Sequence, residues 1–193
     1  MPQMKQSHIL IIATDGCDHA ELLRTRDELI AKGAQVCVAA PCETRRPGFI
    51  RTWRDDEWGA YIATDLTLDR INVRHFDGLI LPGGAMNPDR LRAIPQAVDV
   101  VRAFYDCGKT IAAICHAPHI LVDAGIVKGR QLTSWPSIRT DLMNAGAQWI
   151  DQDVVIDKGL ITSRSPKDLD AFIAKIVEEI EEGDHLNRQP QAA

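Results

Sequence analysis

No stretch of the 193-residue chain approaches the ~20 consecutive apolar residues that a membrane-spanning helix needs. The opening residues, Met1 to His8, are polar and do not read as a signal peptide, so a soluble, cytoplasmic protein is expected. Basic charge is also scarce: 22 Lys and Arg stand against 27 Asp and Glu, a formal net charge of -5. A concentrated basic face of the kind that grips nucleic acid or an anionic membrane is therefore not expected. The local cluster of Arg45, Arg46, Arg51 and Arg54 runs straight into Asp55, Asp56 and Glu57 and reads as a solvated loop. The five cysteines form no CxxC pair and no metal-type spacing with histidine. An odd number in a cytosolic setting favours reduced thiols over a disulfide framework. Walker loop, dinucleotide fingerprint, repeats and low-complexity tracts are all missing. The expectation is a protein with no metal, no cofactor, no membrane and no specific nucleic-acid partner.

What is present is a regular alternation of strand and helix patterns. Apolar runs at 8–14 (HILIIAT), 34–40, 76–81 and 110–114 (TIAAI) read as strands. Between them, helical periods are read over 18–32, stopped by Gly33, and over 88–107 as one or two helices, with Pro95 opening the second. Further helices are read over 117–124, 137–145 and 166–182. Residues 43–60 lack a helical period and suggest a hairpin or a long loop, and 153–162 read as a hairpin around Asp157-Lys158-Gly159. Apolar strands separated by helices imply a mostly parallel sheet covered on both faces. One domain is expected over 1–193, with a core at about 8–182 and a frayed polar tail from Gly183.

In open α/β sheets ligands collect beyond the carboxyl ends of the strands. Three such ends carry suggestive residues. TIAAI runs directly into Cys115-His116 and a helix, the arrangement of a nucleophile thrust above the sheet on a sharp strand-to-helix turn. Ala113 and Ala117 supply small neighbours, and the following helix would lower the thiol pKa. His116 would add a base. The competing reading of Cys115 is a buried core thiol. Pro82-Gly83-Gly84 closes the strand before it, and paired glycines allow backbone N–H groups to approach a substrate oxygen. Most such pairs simply make turns. Glu21, one turn into the first helix, could have its pKa raised beside the sulfur and donate a hydrogen bond to it, although helix glutamates are usually solvated.

The stretches LPGGAMNPDRLR (81–92), GKTIAAICHAPHILVDAGIVKGRQLTSWPSIRTDLMNAGAQWID (108–151) and VVIDKGLITSRSPKDL (154–169) resemble the ThiJ/PfpI family. DGCDHAEL (15–22) and WRDDEWG (53–59) are similar to its intracellular-protease and general-stress-protein branch. The resemblance covers about residues 8–180. It implies a flavodoxin-like three-layer α/β/α sandwich with a mostly parallel central sheet, of the class I glutamine amidotransferase-like type. Carried over residue by residue, it makes Cys115 the nucleophile, His116 its neighbouring histidine and Glu21 the hydrogen-bond donor to sulfur. It makes Asp89 the acid that reaches the histidine from a second subunit, which implies a homodimer or an assembly of dimers. Gly84 and the backbone N–H of His116 fall at the oxyanion hole.

The sequence also departs from the family pattern. The usual ICHGP, followed by an aromatic residue or Gln, is ICHAP followed by His119 here. The Ala117 methyl either shifts the turn or is tolerated. His119 is either a pocket acid/base or a substitute for an aromatic packing residue. Cys17 is either a thiol near the site or a packing residue at the helix start. Gly83 and Trp58 are further pocket candidates, with Trp53, Asp55 and Trp58 at the rim or at an oligomer interface.

The family's reactions include methylglyoxal conversion to lactate without cofactor, reversal of early glycation, peptide hydrolysis and isonitrile hydration. The leading expectation is a glyoxalase III or deglycase reaction in a carbonyl-stress response, on a small-molecule or glycated substrate. The alternatives are a cysteine peptidase or amidohydrolase, and a non-catalytic redox sensor or chaperone acting through oxidation of Cys115.

Overall fold

A computed structural model describes residues 3–185. In chain order the elements are β1 (His8–Ile12), β2 (Cys17–Asp18), α1 (His19–Ala31), β3 (Gln35–Ala40), β4 (Phe49–Arg54), β5 (Glu57–Ala63) and β6 (Leu66–Thr67). They continue with β7 (Gly78–Leu81), α2 (Met86–Arg92), α3 (Pro95–Asp106), β8 (Thr110–Ile114), α4 (Pro118–Asp123) and β9 (Gln131–Leu132). The last are α5 (Arg139–Asn144), β10 (Gln148–Trp149), β11 (Val154–Asp157), β12 (Leu160–Ser163) and α6 (Leu169–Glu182).

Seven strands form the central sheet in the order β11-β12-β8-β7-β1-β3-β6. All neighbours are parallel except β11, which pairs antiparallel with β12 across the Asp157-Lys158-Gly159 turn. Strand alternation divides the core. Leu10, Ile12, Leu79, Leu81, Ile111 and Ala113 face Leu91, Val101, Phe104, Leu121 and Leu142 on α2 to α5. Ile9, Ile11, Ile80, Ala112 and Ile114 face Leu22 and Leu29 on α1 and Phe172, Ile173 and Ile176 on α6. Every central strand is thus apolar on both faces, which is why these segments read as continuous hydrophobic runs rather than alternating ones. The result is the three-layer α/β/α sandwich with a mostly parallel sheet.

Several boundaries differ from the sequence reading. Residues 43–60 do contain a hairpin, β4–β5, turned at Asp55 and Asp56, both with positive φ. It is longer than expected and joins β2 in a separate three-stranded sheet. The short strands β2, β6, β9 and β10 carry too few residues to show a period, and tertiary pairing creates them. Of the tail expected to fray from Gly183, His185 is tied down, its N–H donating to the Gly108 carbonyl at 2.6 Å. The rest of that expectation, 186–193, lies outside the described residues. Among those described, no helix is long and apolar enough to cross a membrane.

Chain direction reverses beside β1: the chain moves to β3 on one side and to β7, β8 and β12 on the other. A crevice opens at such a point beyond the strand ends. The register Leu81↔Ala113 between β7 and β8, extended by two residues, sets Gly83 opposite Cys115.

Candidate active site

Cys115 follows directly on β8 and has φ +62, the left-handed region that costs a non-glycine residue about 1–2 kcal/mol. Hydrogen bonds on both sides hold it there. Its N–H donates to the Ser163 carbonyl at 3.0 Å, and its carbonyl accepts from the Trp135 N–H at 2.9 Å. The chain then closes a tight turn, with the Ala117 N–H donating to the Ile114 carbonyl at 3.0 Å. This is the sharp strand-to-helix bend expected of a presented nucleophile. Ala117 lies in the helical region, φ -57 and ψ -31, and its methyl packs in the core. The departure from glycine is therefore tolerated at that position without strain.

The Cys115 sulfur lies 3.1 Å from His116 Nδ1. The backbone N–H groups of Gly84 and His116 also face it. Glu21, at the third position of α1, is fully buried, and its Oε2 accepts from the Gly83 N–H at 2.7 Å. Asp18 caps the same helix by accepting from the Glu21 N–H at 2.9 Å. The two glycines are required by space. A Cβ on Gly83 would sit 2.6 Å from Cys115 Cβ and 2.7 Å from the Ile114 carbonyl oxygen. One on Gly84, at φ +82, would meet the Gly16 carbonyl oxygen at 2.7 Å.

Burial pushes the Glu21 carboxyl up to about 8, with the Asp18 charge adding to it, so Glu21 is mostly protonated at neutral pH and can donate. The Cys115 thiol does not follow the expectation of a lowered pKa. Burial first, and the Glu21 charge second, raise it well above an ordinary thiol, against the opposing pull of the Gly84 and His116 amides. The physical reason is geometric. Cys115 is only 7% exposed, and α4 is a six-residue helix beginning three residues beyond it, so the helix terminus offers little field. Protonation of Glu21 removes the second cause. The imidazole of His116 is pulled below its ordinary value, chiefly by burial and then by His119, so it is a neutral base at pH 7.

The other sequence candidates fall at graded distances from this centre. His119 pairs with Asp141 Oδ2 at 3.2 Å rather than filling an aromatic packing site. Cys17 is fully buried in the α1-side core, its thiol raised by burial and by Glu21, a packing position. Trp58 meets Trp53 edge-on at 5.3 Å and carries the Arg45 guanidinium over its ring at 4.0 Å, on the β4–β5 hairpin. Asp89 on α2 is exposed, with no hydrogen bond or ion pair among the described residues of its own chain. A cavity lined by Pro41, Cys42, Leu68 and Ile94 does not include Cys115. Among the described residues, no three His, Cys, Asp or Glu side chains are placed to share a metal ion.

Sequence reasoning missed four contributors. Asn87 is buried and ties the glycine turn to the end of β1. Its Nδ2 donates to the Pro82 carbonyl at 2.7 Å, and its Oδ1 accepts from the Thr14 N–H at 2.7 Å. Asp15 accepts from the Arg45 and Arg51 N–H groups, both at 2.7 Å, anchoring the hairpin to the same strand end. Trp135 stacks on the His116 ring at 6.0 Å and 27°. Ser137 Oγ lies 3.2 Å from His116 Nε2. The TSWPSI segment holding the last two follows the cysteine by some twenty residues, and only the proline-marked turn hints at a site.

A protein-family model described as the DJ-1/PfpI family matches residues 7–179. The Pyrococcus furiosus protein named Deglycase PfpI is 37% identical over 169 residues, covering 88% of this chain and 96% of that protein. Protein/nucleic acid deglycase 2 of Escherichia coli is 37% identical over 165 residues, 85% of this chain and 92% of its own. Among solved structures, Drosophila melanogaster DJ-1beta superposes with a TM-score of 0.80 at 31% identity, covering 91% of this chain and 94% of its own. With the bend, the glycine turn and the buried glutamate converging at one sheet edge, this chain belongs to the DJ-1/PfpI family.

Proposed function

We propose that the protein is a cofactor-independent cysteine hydrolase or lyase acting on reactive carbonyls, of the deglycase or glyoxalase III kind. The observation that carries the reading is a single contact set. Cys115 Sγ lies 3.1 Å from a histidine kept neutral and faces two backbone N–H groups, beside a buried carboxyl. The deglycase names of relatives more than a third identical support the same chemistry.

The thiol attacks an aldehyde carbon, forming the S–C bond, while the carbonyl π electrons move to oxygen. His116 Nδ1 takes the thiol proton as the bond forms. The oxyanion is met by the Gly84 and His116 N–H groups, and the proton held by His116 then neutralises it, giving a hemithioacetal. Glu21, protonated, donates toward sulfur and keeps a second negative charge away from the developing one. With methylglyoxal, the proton on the former aldehyde carbon moves to the adjacent carbon and the hydroxyl proton moves to the ketone oxygen, through an enediol, giving a lactoyl thioester. Water releases lactate and restores the thiol. With an early glycation adduct, whose hemiaminal carbon has no carbonyl π bond, the S–C bond forms as the C–N bond breaks, and His116 passes the thiol proton to the leaving amine, giving the same hemithioacetal. We place the reaction in the cytoplasm, where the five free cysteines stay reduced.

The test is a panel of methylglyoxal, glycated amino acids and a fluorescent peptide, run on wild type and Cys115→Ala. The expected result is carbonyl consumption by wild type only. Peptide cleavage without carbonyl turnover, or carbonyl turnover by Cys115→Ala, overturns the reading.

A further inference from the structure

We propose that Ser137 is the positioning residue for His116, accepting the Nε2–H within the same chain so that Nδ1 is left bare toward the cysteine sulfur. The inference rests on the Cys115–His116 pair of the proposed function and deepens it. A neutral imidazole carries one proton. To receive the thiol proton at Nδ1, the ring must hold its own proton on Nε2, and a partly buried N–H needs an acceptor. The Ser137 hydroxyl is that acceptor, 3.2 Å from Nε2, and Sγ sits 3.1 Å from the opposite nitrogen.

The support around it is stiff. The segment bearing Ser137 hangs from the bend itself, because the Trp135 N–H donates to the Cys115 carbonyl at 2.9 Å. Pro136 fixes the backbone there, and the Ile138 N–H closes the turn onto the Trp135 carbonyl at 3.2 Å. Ser134 Oγ accepts from Trp149 Nε1 and donates to the Trp135 carbonyl, both at 3.0 Å. The Trp135 ring lies along the imidazole and hinders its rotation. Sulfur, imidazole and hydroxyl are therefore set by one hydrogen-bonded unit.

The charged and titratable groups about His116 are few. Cys115 adjoins it, backed by Glu21 and Asp18, and His119 on α4 faces it with Asp141 of α5 on its far side. No carboxylate bonds His116 directly among the described residues. Within one chain a hydroxyl orients the ring without the strong upward pull a carboxylate exerts on its pKa, and any such pull in a homodimer would come from Asp89 of the second copy.

The test uses the full-length protein labelled with ¹⁵N-histidine. Wild type at neutral pH should show His116 as the Nε2–H tautomer, and Ser137→Ala a mixture of tautomers. Alkylation of Cys115 by iodoacetamide, followed by peptide mass, needs no knowledge of the substrate. It should slow roughly 10- to 100-fold in Ser137→Ala near neutral pH and recover in Ser137→Thr. Methylglyoxal kcat should fall by a similar factor with KM within about two-fold. Ser137→Asp should move the acid limb of the alkylation profile to higher pH. An Nδ1–H tautomer in wild type overturns the proposal, as does a Ser137→Ala protein whose alkylation profile matches wild type. If Ser137→Ala fails to fold, the wild-type spectrum alone decides. If wild type alkylates as described yet turns over no carbonyl, the Ser137 assignment stands and the carbonyl reading falls.

Discussion

At the residue scale, Glu21 couples the site to pH. Held at about 8 against an ordinary value of 4.5, chiefly by burial, its carboxyl keeps a proton in the folded protein that the unfolded chain has already released. The folded-state pKa is raised, so the stability linked to this proton is complete below about 4.5 and is lost as pH rises through about 8. Glu21→Gln reproduces the shape and hydrogen bonding of the protonated acid but cannot ionise. Urea midpoints at pH 5 should therefore agree between the two proteins. At pH 9 the variant should be the more stable, by on the order of a few kcal/mol. Parallel curves would mean that Glu21 is not protonated in the native state. The same ionisation sets activity. Carbonyl turnover in wild type should decline above pH 8, as the Glu21 charge adds to the cost of a thiolate, and that decline should be absent in the Gln variant.

At the scale of elements, the turn from β7 into α2 has the least freedom. Gly83 lies opposite Cys115 because the β7–β8 register continues past the strand ends, and backbone fills the place a methyl would take. The Ile114 carbonyl and the Cys115 Cβ cannot swing aside as the tip of a long side chain would. Gly83→Ala is expected to cost about 2–3 kcal/mol in chemical denaturation and to abolish turnover, since relief of the clash displaces the sulfur. An active, wild-type-stable Gly83→Ala protein would contradict this packing. On the opposite layer, α6 holds the sheet through Phe172, which is fully buried. Phe172→Ala should cost about 3–5 kcal/mol in chemical denaturation, because it opens a cavity in the core between α6 and the sheet.

At the scale of the whole molecule, Asp89 raises the question of whether one chain makes a complete site. It is exposed and without a bonding partner among the described residues of its own chain, whereas His116 already has Ser137. A homodimer in which Asp89 of a second copy approaches the histidine makes a quantitative prediction. Mixing Cys115→Ala with Asp89→Ala subunits, each inactive alone, should restore roughly a quarter of wild-type turnover. Only mixed dimers then contain one intact combination. No recovery, or full activity of Asp89→Ala by itself, would leave Asp89 without that role. Ser137→Ala acts in the same chain as Cys115 and should not be rescued by mixing with Cys115→Ala, so the two experiments separate the groups.

The sequence by itself determined the layered α/β architecture, because strands buried on both faces must be apolar throughout and the intervening helices must carry one apolar stripe. It also determined the bend at Cys115 and the glycine turn, since tight backbone paths demand small residues at fixed places. Only the tertiary structure decided the protonation of the site. Whether a thiol or a carboxyl is charged depends on how much water and which charges reach it from distant segments, and local spacing near Cys115 suggested the wrong direction for the thiol. The partners of His116 were equally out of reach. Ser137 and Trp135 are twenty residues away along the chain, and a hydrogen bond from the Trp135 backbone to the bend brings them beside the imidazole.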